Sequence, residues 1–271
     1  MPRQNLSGKV VWLTGASSGI GEALAYELAR KGTKLILSSR RKEALEKVKG
    51  NCPAEAQPNI RILPLDLAQP ATLNLSVEAA LQLFGHVDIL INNGGIAQRS
   101  LAKETTVEVD RMLMEVDYFG TVALTKYLLP HFMARRSGHI VTVTSVMGKI
   151  GTPYRSGYAA AKHALHGFFD SLRAELWRES KQIYVTLVCP GWIRTSITLN
   201  ALTGDGSALN KMDTTTDRGM APAVFARKMV RAIEKKKEEV YIGGSKEKLA
   251  VAVKRFFPGV FSKIIRTAKV R

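Results

Sequence analysis

Short apolar runs alternate with stretches of helical periodicity along this chain. The run at 9–14, KVVWLT, is almost continuously apolar and ends in a glycine-rich turn, the pattern of a strand buried on both faces. Behind it Ile20, Ala23, Leu24 and Leu28 recur at helical spacing over 20–31, and Gly32 stops the stretch. Further strands are predicted at 34–38, 60–65, 87–91, 139–144, 184–189 and 239–242. Helices are predicted between them at 42–49, 70–84, 106–136, 158–179 and 222–236, with a break or bend at Pro130. From 192 to 220 the periodicity dissolves into Thr, Gly, Asp, Ser and Asn, and a loop of that length inside a compact domain reads as a lid. Strand–helix alternation predicts an α/β fold: a doubly wound parallel sheet of Rossmann type, about seven strands, with helices on both faces. Residues 1–245 read as one such domain, whose ligands are expected at the carboxyl ends of the strands.

Composition changes this picture little. The chain has 271 residues, 45% hydrophobic and 23% charged, enough to bury a core without staples. Cys52 sits in a polar stretch and Cys189 ends an apolar run, so a reduced, cytoplasmic protein is expected rather than a disulfide framework. Neither a signal-peptide core at the N-terminus nor an apolar run of about 18 residues is expected to target the chain to or through a membrane.

Charge matters more. The formal net charge is +17, which admits nucleic acid, an anionic membrane or an acidic ligand as partner. Much of the excess falls in 246–271, read as a basic amphipathic extension: Lys246, Lys248, Lys254, Arg255, Lys263, Arg266, Lys269 and Arg271 face one acid, Glu247. Between them runs an apolar stripe, Leu249, Val253, Phe256, Phe257, Val260, Phe261, Ile264 and Ile265, interrupted at Pro258-Gly259. Such a stripe packs on its own or a partner subunit, or lies peripherally on an anionic membrane surface. No recognised nucleic-acid motif accompanies the charge, so no nucleic-acid partner is expected.

The first strand–helix junction carries Thr14-Gly15-Ala16-Ser17-Ser18-Gly19-Ile20-Gly21. Glycines at this place let backbone turn tightly and approach a pyrophosphate, and the helix N-terminus offers free N–H groups and a positive dipole. At the end of the second predicted strand an acid would bind the 2′-hydroxyl of NAD. Here stand Ser39, Arg40 and Arg41, and paired guanidinium groups suit the 2′-phosphate of NADP(H).

Tyr158 and Lys162 lie at i and i+4 near a predicted helix start, on one face. An ammonium beside a phenol favours the phenolate and tunes it for proton transfer near neutral pH. Ser145, at the end of the preceding strand, can point into the same cleft. Together with Asn92-Asn93-Gly94-Gly95 and Pro190-Gly191-Trp192-Ile193-Arg194-Thr195, these residues make the chain, over about 6–243, resemble the short-chain dehydrogenase/reductase (SDR) family.

The resemblance implies that Ser145 binds a carbonyl oxygen, that Tyr158 exchanges its proton, and that Lys162 tunes Tyr158 and binds the nicotinamide ribose. It implies that Asp66 and Leu67 flank the adenine, that Asn93, Gly94 and Gly95 line the cofactor, and that Pro190, Gly191, Ile193 and Thr195 hold the carboxamide. It also implies a homodimer or homotetramer built on the helices at 106–136 and 158–179. Two positions depart from the family pattern. Gly94 replaces an alanine. Asp117 replaces an asparagine that is a fourth catalytic member, whose backbone carbonyl holds a water leading to the lysine; the carboxylate keeps that carbonyl and loses the amide donor.

The expected function is hydride transfer between NADP(H) and a carbonyl or secondary alcohol, of a hydrophobic or lipid-like substrate. Trp192, Ile193, Ile197, Leu199, Leu202, Leu209 and Met212 in the lid predict an apolar pocket. The alternative is an NADP(H)-binding sensor impaired at Asp117. His163 and His166 follow Lys162 without neighbours at metal-ligand spacing, so no metal is expected.

Overall fold

A computed structural model describes residues 3–268. Seven parallel strands form one sheet in the order β3-β2-β1-β4-β5-β6-β7. They are β1 (Val10–Thr14), β2 (Lys34–Ser38), β3 (Ile60–Ile62), β4 (Ile89–Asn92), β5 (Gly138–Val143), β6 (Ile183–Pro190) and β7 (Glu239–Ile242). The helices between them are α1 (Gly19–Arg30), α2 (Lys42–Gly50), α3 (Pro70–Phe84), α4 (Val107–Met114), α5 (Gly120–Arg135), α6 (Ser156–Glu179), α7 (Thr214–Asp217) and α8 (Pro222–Glu234). The architecture is the Rossmann-type sheet that the alternation predicts.

Alternation within the strands explains the layers. Val11 and Leu13 of β1 join Leu24 and Leu28 of α1 and Phe225 and Met229 of α8 in one core. Val10 and Trp12 of the same strand join Leu73 of α3, Leu128 of α5 and Phe169 of α6 in the other. Both faces are thus covered, which is why the strand sequences read as apolar runs. Cys52 and Cys189 are buried and unpaired with each other.

One expectation needs correction, and another is refined. The 106–136 stretch is interrupted by a π-helical turn at Glu115–Phe119, and Pro130 lies inside α5 without ending it. A proline removes only its own N–H bond to the carbonyl four residues back, here Lys126; both residues are on the solvent face. The stripe at the C-terminus is also divided. It forms α9 (Ser245–Phe256) and α10 (Pro258–Thr267). Val253, Phe261 and Ile265 pack against Val146, Met147 and Ile150 of this same chain, whereas Leu249, Phe256, Phe257, Val260 and Ile264 are exposed. Lys269 and Arg271 lie outside the described residues. No helix among the described residues is long and apolar enough to cross a membrane.

His139 is fully buried in β5, its Nε2 2.8 Å from Thr186 Oγ1. Burial, and after it the Lys236 charge, push its pKa down to about 3 from 6.5. The unfolded chain therefore binds more protons between these values, so stability falls as pH drops from about 6.5 toward about 3. Going from pH 7 to pH 5 is expected to cost about 2 kcal/mol through this residue. Urea unfolding at both pH values checks it: His139→Asn should lose correspondingly less than the native chain, and equal losses would refute the assignment.

Candidate active site

The strand order reverses between β1 and β4, and the loops leaving these strands diverge there to open a crevice. Thr14 ties them together. Its Oγ1 accepts from the N–H groups of Asn93 (3.0 Å) and Gly94 (2.9 Å), while Asn93 Nδ2 donates to the carbonyls of Thr14 and Gly15. Gly15 has φ +63°, and a Cβ there would stand 2.7 Å from Gly94 Cα. Side chains are therefore excluded by both conformation and space. α1 starts just beyond, its first-turn N–H groups uncapped by any side chain and available to an anion.

A cleft of about 990 Å³ runs from this crevice across the carboxyl ends of the strands. Its wall includes Gly15, Ser17, Ser18, Gly19, Ile20, Gly21, Ser39, Arg40, Arg41, Asp66, Leu67, Asn93, Gly94 and Gly95. Pro190, Gly191, Ile193, Thr195, Ser145, Tyr158 and Lys162 complete it. Arg40 and Arg41 are exposed beside the end of β2 and line the cleft. Of the apolar residues of the 192–220 segment named above, Trp192, Ile193, Ile197 and Leu202 line the cleft; Leu199, Leu209 and Met212 do not. The loop folds partly on itself there, pairing Leu202 with Ala208.

The other end of the cleft carries the titratable groups. Ser145 follows β5, and its Oγ accepts from the Met147 N–H at 3.1 Å, which leaves its own O–H free to donate. Tyr158 sits in the first turn of α6, held by Gln98, whose Oε1 accepts from the N–H groups of Gly157 (2.9 Å) and Tyr158 (3.3 Å). Lys162 is one turn on, its Nζ 5.6 Å from the centre of the Tyr158 ring.

Asp117 alone of the sequence-derived site residues is absent from the cleft wall. The π-helical turn carries it inward, where it is 0% exposed. Its Oδ1 accepts from the Ile96 N–H at 2.7 Å and its Oδ2 lies 3.2 Å from Lys162 Nζ. Where the resemblance implies a link through the backbone carbonyl and a water, the Asp117 side chain itself forms an ion pair with Lys162. Gly95 makes room for it, since a Cβ there would stand 2.9 Å from Asp117 Oδ1 and 3.3 Å from Lys162 Nζ. Burial alone would push the Lys162 pKa down; the charges of Asp117 and Tyr158 outweigh it and hold the ammonium protonated, above its ordinary value.

Residues 9–205 match the family model of the short chain dehydrogenases. The chain belongs to the short-chain dehydrogenase/reductase family. It is 44% identical to a "Dehydrogenase/reductase SDR family protein 7-like" of Drosophila melanogaster over 99% of this chain and 83% of that one. It is 42% identical to the bovine "Dehydrogenase/reductase SDR family member 7B", over 97% and 82% respectively. Among solved structures, an SDR protein from Burkholderia phymatum in complex with NAD superposes with a TM-score of 0.84 at 21% identity, covering 95% of this chain and 96% of that one. An archaeal alcohol dehydrogenase from Thermococcus sibiricus complexed with 5-hydroxy-NADP gives 0.74 at 25% identity, over 88% and 97%. The protein is an oxidoreductase of this family.

Sequence reasoning missed several residues of the SDR cleft. Gln98 holds the start of α6, and Arg99 and Arg155, both on the cleft wall, pair with Asp213. No local pattern announces them. His166, Asp170 and Glu239 also come together, with ligand atoms within 4.8 Å of one another, although Lys149 Nζ already lies 2.9 Å from Glu239.

A buried ammonium without a partner is costly. Asp117→Leu is therefore expected to lose about 3–5 kcal/mol of stability. Asp117→Asn retains an acceptor for Ile96 and should lose clearly less. Denaturant unfolding of both variants checks it, and a loss below about 1 kcal/mol in Asp117→Leu would show that the ion pair is unimportant to the fold.

Proposed function

We propose that the protein is an NADP(H)-dependent carbonyl reductase or alcohol dehydrogenase acting on a hydrophobic substrate. The observation that carries the reading is the convergence of Ser145, Tyr158 and Lys162 on one wall of a cleft whose far end holds Arg40 and Arg41. The glycine turns and uncapped α1 N-terminus fit a pyrophosphate, and the two guanidinium groups fit a 2′-phosphate. When bound, the cofactor supplies or accepts the hydride.

In the reducing direction, Ser145 Oγ–H and Tyr158 Oη–H donate to the substrate carbonyl oxygen. The Tyr158 proton passes to that oxygen as it becomes an alkoxide. Lys162, kept charged by Asp117, stabilises the phenolate left behind and would also bind the nicotinamide ribose. Asp117 is accordingly a positioning residue, and its support of a charged Lys162 favours turnover over the sensor alternative. Exposed Phe119, Tyr127 and Trp177 on the helices at 106–136 and 158–179 favour a homo-oligomer joined there.

NADPH and NADH consumption against a panel of aldehydes and ketones tests this. Turnover is expected with NADPH, and Tyr158→Phe should lower kcat by about 10²–10⁴. Replacing Arg40 and Arg41 together by Ala should raise KM for NADPH by about tenfold or more and leave NADH unchanged. NADPH binding without turnover on any compound would favour the sensor, and Asp117→Asn would then be the variant to restore activity.

The exposed side of the C-terminal helices is proposed to rest on an anionic membrane. Phe256, Phe257, Val260 and Ile264 form an outward apolar ridge among Lys254, Arg255, Lys263 and Arg266, a composition that suits lipid tails flanked by anionic headgroups. The full chain should co-sediment with phosphatidylserine vesicles and much less with phosphatidylcholine alone. Exchanging Phe256 and Phe257 for Glu should abolish it; binding that survives the exchange would place the lipid contact elsewhere.

A further inference from the structure

Charge is unbalanced on one part of the cleft wall. Arg99 and Arg155 both line it, close enough for their charges to interact with Tyr158. Arg155 is 1% exposed; its Nη2 donates to Asp213 Oδ2 at 3.0 Å and its guanidinium lies 4.9 Å from the centre of the Trp192 ring. Arg99 Nε lies 3.5 Å from the same oxygen, too far for a hydrogen bond of good geometry, and is buried with none. Its Nη1 donates to the Gln98 carbonyl at 2.7 Å.

Asp213 has little left to offer Arg99. Its Oδ1 already accepts from the N–H groups of Thr215 (2.8 Å) and Thr216 (3.2 Å), capping α7. Two guanidinium charges therefore share one carboxylate, leaving one net positive charge in a largely buried cluster. Burial pushes both guanidinium pKa values down, that of Arg155 to about 10, where repulsion by Arg99 adds to burial. Glu108 and Asp205 also line the cleft, but both are exposed. Unbalanced buried charge is costly unless another ion completes it.

Resting on the reductase reading above, we propose that Arg99, backed by Arg155, binds an anionic group of the substrate, a carboxylate or a phosphate. Arg99 adjoins Gln98, which holds the Tyr158 backbone, so the anion would sit near the reacting carbonyl. Leu202, whose carbonyl accepts from the Arg99 N–H at 2.9 Å, lines the cleft with Val109, Met112 and Ile197, and these apolar side chains would receive an apolar chain. The substrate class is then an amphipathic ketone, or its alcohol, with an acidic group near the reacting carbon and an apolar tail.

Three ketones of matched chain length test this with NADPH: one neutral, one bearing a carboxylate, one a phosphate. The native enzyme should show a lower KM for an anionic ketone, and the preferred arm identifies the acid. Arg99→Gln should raise that KM by about tenfold or more while changing kinetics on the neutral ketone by less than about twofold. Arg99→Lys should recover part of the loss. Equal KM values for anionic and neutral ketones in the native enzyme would overturn the proposal. So would an Arg99→Gln variant impaired equally on both, since that marks a structural role beneath the 192–220 segment. Calorimetric titration of the same ketones into the NADPH-loaded protein separates the two readings. Anion-dependent binding lost in Arg99→Gln would uphold the subsite even without turnover, whereas absent turnover alone strikes at the reductase reading.

Discussion

A protonated lysine with almost no access to water needs a fixed negative partner, and the reactive end of this cleft is organised by that requirement. Lys162 is placed by α6, one turn beyond Tyr158, and Asp117 is placed by the π-helical turn between α4 and α5. Moving Asp117 by a fraction of a turn would strand both charges. The turn thus fixes the position of the carboxylate, the carboxylate fixes the charge state of the ammonium, and the ammonium acts on Tyr158. Where the family pattern has an uncharged amide, this chain has a buried carboxyl group in direct contact with the lysine; burial raises its pKa, and the Lys162 charge and the Ile96 N–H oppose that rise.

The same economy of space governs the crevice. Thr14 uses one hydroxyl to hold the Asn93 and Gly94 N–H groups, and the loops come this close because Gly15 carries no side chain. Gly95 plays the corresponding part on the other side, giving room to Asp117 and Lys162. Consecutive glycines after β4 therefore serve two different neighbours. The substitution of Gly94 for the family's usual alanine also fits: a Cβ at that position would stand 2.7 Å from Leu67 Cδ1.

The strands and the glycine turn were legible because their causes are local: a strand covered on both faces must be apolar, and a backbone at φ +63° favours glycine. The π-helical turn was not, because EVDYF carries no breaker, while Pro130, the visible breaker, needed only the solvent face of α5. The identity of residue 117 was legible as a departure, but its contact with Lys162 depends on how two helices pack. Arg155 and Asp213 lie 58 residues apart, and their pairing across Trp192 has no trace in either local pattern. The stripe at the C-terminus was readable as amphipathic; its division into an inward and an outward side depended on where Val146 and Met147 offered a surface.

That division ties the C-terminal helices to the chemistry. Phe261 packs with Val146 and Met147, the residues immediately after Ser145, and Ala159 beside Tyr158 belongs to the same cluster. Glu247, the sole acid of 246–271, uses its Oε1 to accept from the Trp192 N–H at 3.3 Å, at the start of the 192–220 segment. Trp192 in turn lies beneath Arg155. A displacement of α9 and α10 would therefore reach Ser145 through apolar packing and Arg155 on the cleft wall through Glu247 and Trp192. Basic residues on the outside of these helices and the charged cluster inside the cleft are separate features in the sequence. In the folded chain a series of contacts joins them: Phe261 to Val146 and Met147, and Glu247 to Trp192 to Arg155.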